Sequence, residues 1–144
     1  MGYIEKNLLA DERVVHKARL HWLIFGKAML IIAIGVGVLV VEPRVGALVV
    51  AIGVMAAVPP LVAYQTSEFG VTTRRVIIKV GFIQRRTLEL LLRQVEAISV
   101  DQRIMGRVFN YGTITLSGTG GVREVFEDVA APLEFRRTIQ SQTT

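Results

Sequence analysis

The chain has 144 residues, of which 51% are apolar and 20% are charged, with a formal net charge of +5 and no cysteine. This composition excludes intrinsic disorder, a collagen-like repeat and a disulfide-stabilised scaffold. Two classes remain: a soluble protein with an unusually large core, or a membrane segment joined to an ordinary domain.

The apolar excess is confined to one part of the chain. Between residues 28 and 64, 28 of 37 side chains are apolar, and only Glu42 and Arg44 are charged. The other 107 residues have the composition of an ordinary soluble protein. Burial as a pair of core helices is disfavoured, because so small a chain has too little surface to cover two apolar helices on every side. The sequence therefore predicts membrane-spanning helices.

Residues 1–21 are predicted to form an N-terminal arm. Residues 13–20 alternate apolar and polar side chains, which is typical of a strand. We expect this strand to join the domain that follows the membrane segment, as its seventh strand. Ile4, Leu8 and Leu9 precede it and predict a short amphipathic turn at the membrane surface.

Residues 22–64 are predicted to form a transmembrane helical hairpin, with helices at about 22–41 and 45–64. Pro59 and Pro60 lie near its end and are expected to kink or end the second helix. Three residues of the types that anchor helices at the membrane interface flank the apolar runs: Trp22, Lys27 and Tyr64.

Basic residues determine the predicted orientation of the hairpin. The short connection at residues 42–44 forces the helices to be antiparallel, so both termini lie on one side of the membrane. Ten basic residues flank the hairpin on that side: Lys6, Arg13, Lys17, Arg19, Lys27, Arg74, Arg75, Lys79, Arg85 and Arg86. The positive-inside rule therefore predicts that both termini are cytoplasmic.

Residues 65–144 are predicted to form a cytoplasmic domain of about six short antiparallel strands. Gly81, Asn110-Tyr111-Gly112 and Gly118-Thr119-Gly120-Gly121 are the predicted turns, and Gly106 is assigned to a loop. A helix is predicted from Pro132 onwards, with Phe135 and Ile139 on one face. We expect this helix to cover an open end of the sheet structure.

The chain resembles the bacterial membrane-anchored PH-domain family along nearly its whole length. The residues that carry the resemblance are Glu12-Arg13-Val14-Val15, Arg19, Trp22, Thr72-Thr73-Arg74-Arg75-Val76-Ile77, Gly81-Phe82-Ile83, Arg86-Thr87, Gly106-Arg107, Tyr111-Gly112-Thr113, Gly118-Thr119-Gly120-Gly121 and Pro132-Leu133-Glu134-Phe135-Arg136. The resemblance implies an α+β membrane protein of the bacterial inner membrane. Its expected architecture is a transmembrane hairpin followed by a PH-like antiparallel barrel or sandwich capped by a C-terminal helix. It implies no general activity, and assembly or protein interaction is the expected role.

The residue types needed for catalysis or metal binding are scarce. His16 and His21 are explained by strand and interface positions, and two histidines without cysteine make a zinc site improbable. The acidic group Glu124, Glu127 and Asp128 fits a solvated loop edge better than a metal site. The sequence thus predicts no catalytic, cofactor or metal site, and we expect a protein that is not an enzyme.

Basic residues around Gly81 are the candidate ligand site. Lys79, Arg85 and Arg86 bracket this turn, and Arg74 and Arg75 lie on the neighbouring strand. The group loosely resembles the lysine–arginine motif with which some PH domains hold inositol phosphates, so it could bind an anionic membrane surface or a specific headgroup. It could equally serve only membrane orientation and the solubility of edge strands. No basic and aromatic stripe supports nucleic-acid binding.

Small residues on the predicted membrane helices form a second candidate surface. Three pairs have the spacing that allows close helix contact: Ala33 with Gly37, Ala47 with Ala51, and Gly53 with Ala57. They could pack the two helices of one hairpin together, or pack the hairpin against a second copy or another membrane protein. Two functions follow as hypotheses: a non-enzymatic membrane scaffold with these partners, or a module that binds anionic lipids.

Overall fold

The computed structural model describes residues 2–81 and 85–143, and the chain divides into two compact units. The helical unit consists of Trp22–Gln65, and the sheet unit combines the residues before Trp22 with those after Gln65. In chain order the helices and strands are α1 (Tyr3–Lys6), β1 (Val14–Ala18), α2 (Gly26–Val41), α3 (Pro43–Thr66), β2 (Glu68–Thr72), β3 (Arg75–Val80), β4 (Arg86–Leu91), β5 (Val95–Asp101), α4 (Ile104–Phe109), β6 (Tyr111–Gly118), β7 (Val122–Ala130) and α5 (Pro132–Thr143).

Two long apolar helices make up the helical unit. A 3₁₀ turn at Trp22–Phe25 leads into α2, and only Glu42 separates α2 from α3. Pro43 is the first residue of α3, where its fixed φ suits the helix and its missing N–H is not needed. The connection is therefore shorter than the predicted three residues. By length and composition alone, both helices could cross a membrane.

The two prolines in α3 do not end it. Of the two outcomes expected at Pro59 and Pro60, a kink or the end of the helix, the second is wrong, because α3 continues to Thr66. Each proline removes one backbone donor, but the residues beyond Pro60 keep theirs and continue the helical hydrogen bonds.

The sheet unit contains two antiparallel sheets, with strand orders β1-β2-β3-β4 and β5-β6-β7. Strand β1 pairs with β2, with Ala18 opposite Phe69. The predicted return of the N-terminal strand into the sheet is therefore confirmed, as are the six strands that follow the hairpin. The residues 82–84, which belong to the predicted β3–β4 region and carry part of the family resemblance, lie outside the described residues.

An isolated β-bridge between Leu20 and Val129 connects the two sheets and marks one end of the unit. At this Leu20 end β1, β3 and β7 finish, and β2, β4 and β6 begin. The opposite Thr73 end carries the β2–β3 turn and the turn between β6 and β7. There the Thr119 backbone N–H donates to the Gln94 carbonyl at 2.9 Å.

The core lies between the two sheets and beneath α5. Phe69 of β2 and Phe126 of β7 meet edge to face with ring centroids 5.7 Å apart. Phe135 and Ile139 of α5 are fully buried against this cluster. This confirms the predicted C-terminal helix and its apolar face, on which Phe135 and Ile139 lie one turn apart.

Two short helices correct the sequence interpretation. Gly106 lies inside the helix α4 rather than in a loop, because the aliphatic residues around it have helical spacing and Asn110 ends the helix in the left-handed conformation, with φ of 59°. Ile4 lies in α1 and is fully buried in the sheet unit, rather than in a turn at a membrane surface. A glycine in β2 leaves the space that Ile4 occupies.

Candidate functional site

The N-terminal arm packs on the outer face of the first sheet. Ile4 packs directly against the backbone of Gly70 in β2, and a Cβ at Gly70 would lie 2.5 Å from Ile4 Cδ1. Glu68 accepts hydrogen bonds from the backbone N–H groups of Tyr3 and Ile4, at 2.9 and 3.2 Å, and so caps α1. Lys17 of β1 forms an ion pair with Glu5 of α1. The arm is thus an integral part of the sheet unit.

A buried ion pair fixes the other end of the arm. The carboxylate of Glu12 accepts hydrogen bonds from Arg75 Nε at 2.9 Å, from Thr72 Oγ1 at 2.6 Å and from the Leu9 backbone N–H at 2.8 Å. Burial of Glu12 opposes its ionisation, but the bonds from Arg75, Leu9 and Thr72 outweigh burial and lower its pKa below the ordinary value of 4.5.

Arg75 therefore has a structural partner on each side. Its Nη1 donates to Glu89 at 2.5 Å, and its Nη2 donates to the carbonyl of Asn7 at 2.6 Å. The hydrogen bond with Glu12 is the largest cause of the raised pKa of its guanidinium. With its donors engaged in this way, Arg75 holds the arm to the β2–β3 turn and is poorly placed to bind a ligand.

The five basic residues predicted to form one site lie at opposite ends of the sheet. Arg74 and Arg75 lie at the Thr73 end, whereas Lys79, Arg85 and Arg86 lie at the Leu20 end. Lys79 lies four positions after Arg75 on β3, about 13 Å along the strand. Only the second group lies at one end of the sheet. Within it Lys79 and Arg86 face opposite sides, since Lys79 contacts Tyr3 of α1 and Arg86 pairs with Glu124 of β7.

These three residues differ in their surroundings. The Lys79 ammonium lies 5.4 Å from the centre of the Tyr3 ring, on the face covered by α1. Arg86 forms an ion pair across the domain with Glu124 of β7. Arg85 is exposed in the β3–β4 connection. The positive charge of Arg86 is therefore partly neutralised by Glu124.

Two of the cavities formed by the described residues lie on the sheet unit. One, of about 460 Å³, is polar and is lined by Asp101, Arg103, Tyr111, Gly112, Thr113, Glu127 and Asp128. The other, of about 320 Å³, is largely apolar and is lined by Leu20, Phe69, Val80, Arg86, Val125, Phe126 and Glu127. Of the predicted acidic group, Glu127 and Asp128 face the first cavity, and Glu124 is held by Arg86.

Both histidines have structural positions in the sheet unit. The His21 ring packs on Tyr111 with centroids 5.1 Å apart, and its backbone N–H donates to the Asp128 carbonyl at 2.7 Å. The His16 ring lies 6.2 Å from that of Phe135. Each imidazole thus packs against an aromatic ring: His16 in β1 against Phe135, and His21, next to the Leu20 bridge, against Tyr111.

An exposed apolar surface on α4 was not predicted. The four residues of this surface, with their exposed fractions, are Ile104 (81%), Met105 (55%), Val108 (69%) and Phe109 (37%). A Cβ on Gly106 would lie 2.5 Å from the Tyr111 carbonyl oxygen, and Gln102 Nε2 donates to that same oxygen at 3.2 Å. Close backbone packing at Gly106 therefore turns the four apolar side chains outward. Their i, i+4 spacing was the available sequence signal.

Gly35, Gly46 and Gly53 bring α2 and α3 together, and only Gly53 is among the small residues predicted for helix packing. A Cβ on Gly46 would lie 2.4 Å from the backbone nitrogen of Leu39, and one on Gly53 would lie 2.6 Å from Ile32 Cγ1. Gly35 similarly meets Val50. Of the predicted small residues only Gly53 is buried in this contact, while Ala57 is half-buried and the other four are exposed: Ala33, Gly37, Ala47 and Ala51.

The predicted interface anchors lie near the first and last residues of the helical unit, which meet at one end of the hairpin. Trp22 and Lys27 are exposed, and Tyr64 packs on Phe25 with ring centroids 5.8 Å apart. Their positions are compatible with the anchoring role predicted from the sequence, which stays a prediction.

Comparison with known proteins gives one match. The family model of the bacterial PH domain matches residues 24–143, a range that includes both apolar helices and all strands after them. No curated protein and no solved structure matches the chain. The matched range covers most of the chain and agrees with the two antiparallel sheets and the C-terminal helix. The chain therefore belongs to the bacterial PH domain family.

Proposed function

We propose that this protein is a non-enzymatic scaffold anchored in the bacterial inner membrane, which assembles with copies of itself or with a membrane protein partner. Bacterial PH domains are a general interaction or lipid-binding type of module. In this proposal α2 and α3 span the membrane, both termini are cytoplasmic, and the sheet unit presents binding surfaces there.

The surface of the helical unit supports anchoring. Large aliphatic side chains are exposed along both helices, among them Leu30, Ile34, Val40, Leu48, Ile52 and Met55. A soluble protein rarely exposes an apolar surface of this extent, because water makes it prone to aggregate. A bilayer removes that penalty, and 20 and 24 residues are enough to cross its hydrocarbon core.

The observation that carries the assembly proposal is the position of Gly37. A Cβ on Gly37 would meet no atom within 4 Å, whereas Gly35, on the other side of α2, touches α3. Ala33 lies one turn before Gly37 and is also exposed. This pair is therefore not used to pack the hairpin, and it leaves a shallow surface on which a further helix can approach closely.

Disulfide cross-linking in native membranes tests the proposal, because the chain has no cysteine of its own. Gly37→Cys should form cross-linked species efficiently under mild oxidation. Val36→Cys is the matched control, since its neighbouring position faces about 100° away on the helix. Equal cross-linking at both positions would contradict the surface, and a monomer without co-purifying protein in native mass spectrometry would refute the scaffold.

A second candidate function, binding of anionic lipid headgroups, is favoured by the grouping of Lys79, Arg85 and Arg86 at the Leu20 end. Each basic residue near an anionic headgroup contributes about 1 kcal/mol. Lys79→Gln with Arg85→Gln should therefore weaken binding of a short-chain phosphatidylglycerol to the full chain by about 30-fold. Arg74→Gln, at the other end, is the control, and an equal effect of that change would refute this site.

A further inference from the structure

We infer that α4 is a second membrane contact of the protein, which inserts its apolar side chains into the lipid surface. The inference rests on the proposed membrane anchoring and adds to it a site on the sheet unit. The surface consists of Ile104, Met105, Val108 and Phe109, which we call the α4 patch.

The geometry of α4 makes this patch one continuous face. At 100° per residue, Ile104, Val108, Met105 and Phe109 follow one another around an arc of about 140°. Gly106 lies outside this arc and packs on the start of β6. The helix is thus held by its glycine side, and its apolar side is presented to the surroundings.

The place of the patch in the fold indicates lipid as the occupant. Strand β6 starts immediately after α4, and its first residue, Tyr111, packs on His21. His21 is the last residue of the sheet unit before Trp22, at which the proposed membrane segment begins. The α4 patch thus lies at the end of the sheet unit at which the chain leaves it for the proposed membrane segment. An exposed apolar helix at the end where the chain enters the proposed membrane segment favours lipid as its occupant.

The charges beside the patch favour insertion that depends mainly on apolar contact. Arg103 precedes α4 and Arg107 lies at the edge of the apolar arc, as in helices that lie in the membrane interface. However, Arg103 also lines the polar cavity together with Asp101, Glu127 and Asp128, which offset its charge. We therefore expect insertion into neutral as well as anionic lipid, unlike headgroup binding at Lys79 and Arg85.

Spin labelling of the full chain in liposomes tests the inference directly. A nitroxide attached to Val108→Cys should lie about 5 to 10 Å below the lipid phosphates, with oxygen more accessible than a water-soluble nickel chelate. Met105→Cys should give the same result from a second position of the patch. Thr119→Cys, at the Thr73 end, is the exposed control and should be accessible to the nickel chelate.

A further label separates this inference from the proposed function. Met55→Cys lies on the exposed surface of α3 and should be in the hydrocarbon core if the hairpin spans the membrane. A Met55 label in lipid with a Val108 label in water would overturn only the α4 contact. A Val108 label that neither reagent reaches would also overturn it, in favour of a protein occupant. A Met55 label outside lipid would overturn the anchoring and this inference together.

Discussion

The buried carboxylate of Glu12 gives the sharpest prediction for stability. Its side chain is 0% exposed and faces Arg75, which is 11% exposed. Glu12→Gln removes the negative charge and replaces one acceptor oxygen by a donor that faces other donors. Loss of one partner of a buried ion pair costs about 3 to 5 kcal/mol. We expect the lower value, about 3 kcal/mol, because Arg75 keeps its bonds to Glu89 and Asn7.

Glu89→Gln is the matched control, because Glu89 bonds the same guanidinium from a side chain that is 40% exposed. Water replaces such a partner, so the expected cost is at most about 1 kcal/mol. Urea unfolding of the full chain in detergent, followed by pulse proteolysis, measures both free energies. Equal losses within about 0.5 kcal/mol would refute the argument that burial, and not the number of hydrogen bonds, determines the contribution.

Three further predictions concern acid stability, the arm and the hairpin. The pKa of Glu12 is lower in the folded than in the unfolded chain, so its contribution to stability is complete above pH 4.5 and is lost as the pH falls through the folded pKa. Below pH 4.5 the stability of the unmodified chain should therefore fall more steeply than that of Glu12→Gln, measured by the same unfolding assay. Ile4→Ala should destabilise the packed arm by about 2 kcal/mol or more, and trypsin cleavage after Lys6 should accelerate by about 30-fold; an unchanged rate would show that Ile4 does not hold the arm. Gly46→Ala should separate α2 from α3, since its Cβ would lie 2.4 Å from the Leu39 backbone, and should lower the thermal unfolding temperature in detergent, whereas Gly37→Ala should leave it unchanged.

Residue patterns within one segment were sufficient to predict most of the fold. Alternation in β1 predicted a strand, and the spacing of Phe135 and Ile139 predicted the buried face of α5. These patterns are local, because a strand or helix that is half-buried places apolar residues with its own period. The resemblance then supplied the order of the elements, with which the family match agrees.

Contacts between distant segments could not be predicted from those patterns. Glu12 meets Arg75 across 63 positions, and Ile4 fills the space left by Gly70, so neither partner signals the other in the sequence. The proposed basic site had a similar weakness. The sequence analysis assigned Arg74 and Arg75 to a strand next to that of Lys79, but Arg75 and Lys79 lie at the two ends of the same strand, β3.

The position of β1 before the hairpin has a consequence for how the protein is made. Strand β1 leaves the ribosome before α2 and α3, and its partner β2 follows both helices. The first sheet therefore remains incomplete until about 50 intervening residues have been synthesised. If the hairpin inserts in the membrane during that interval, insertion comes before folding of the sheet unit. A fragment that starts at residue 66 would lack β1, Glu12 and Ile4, and would begin with an unpaired β2 edge.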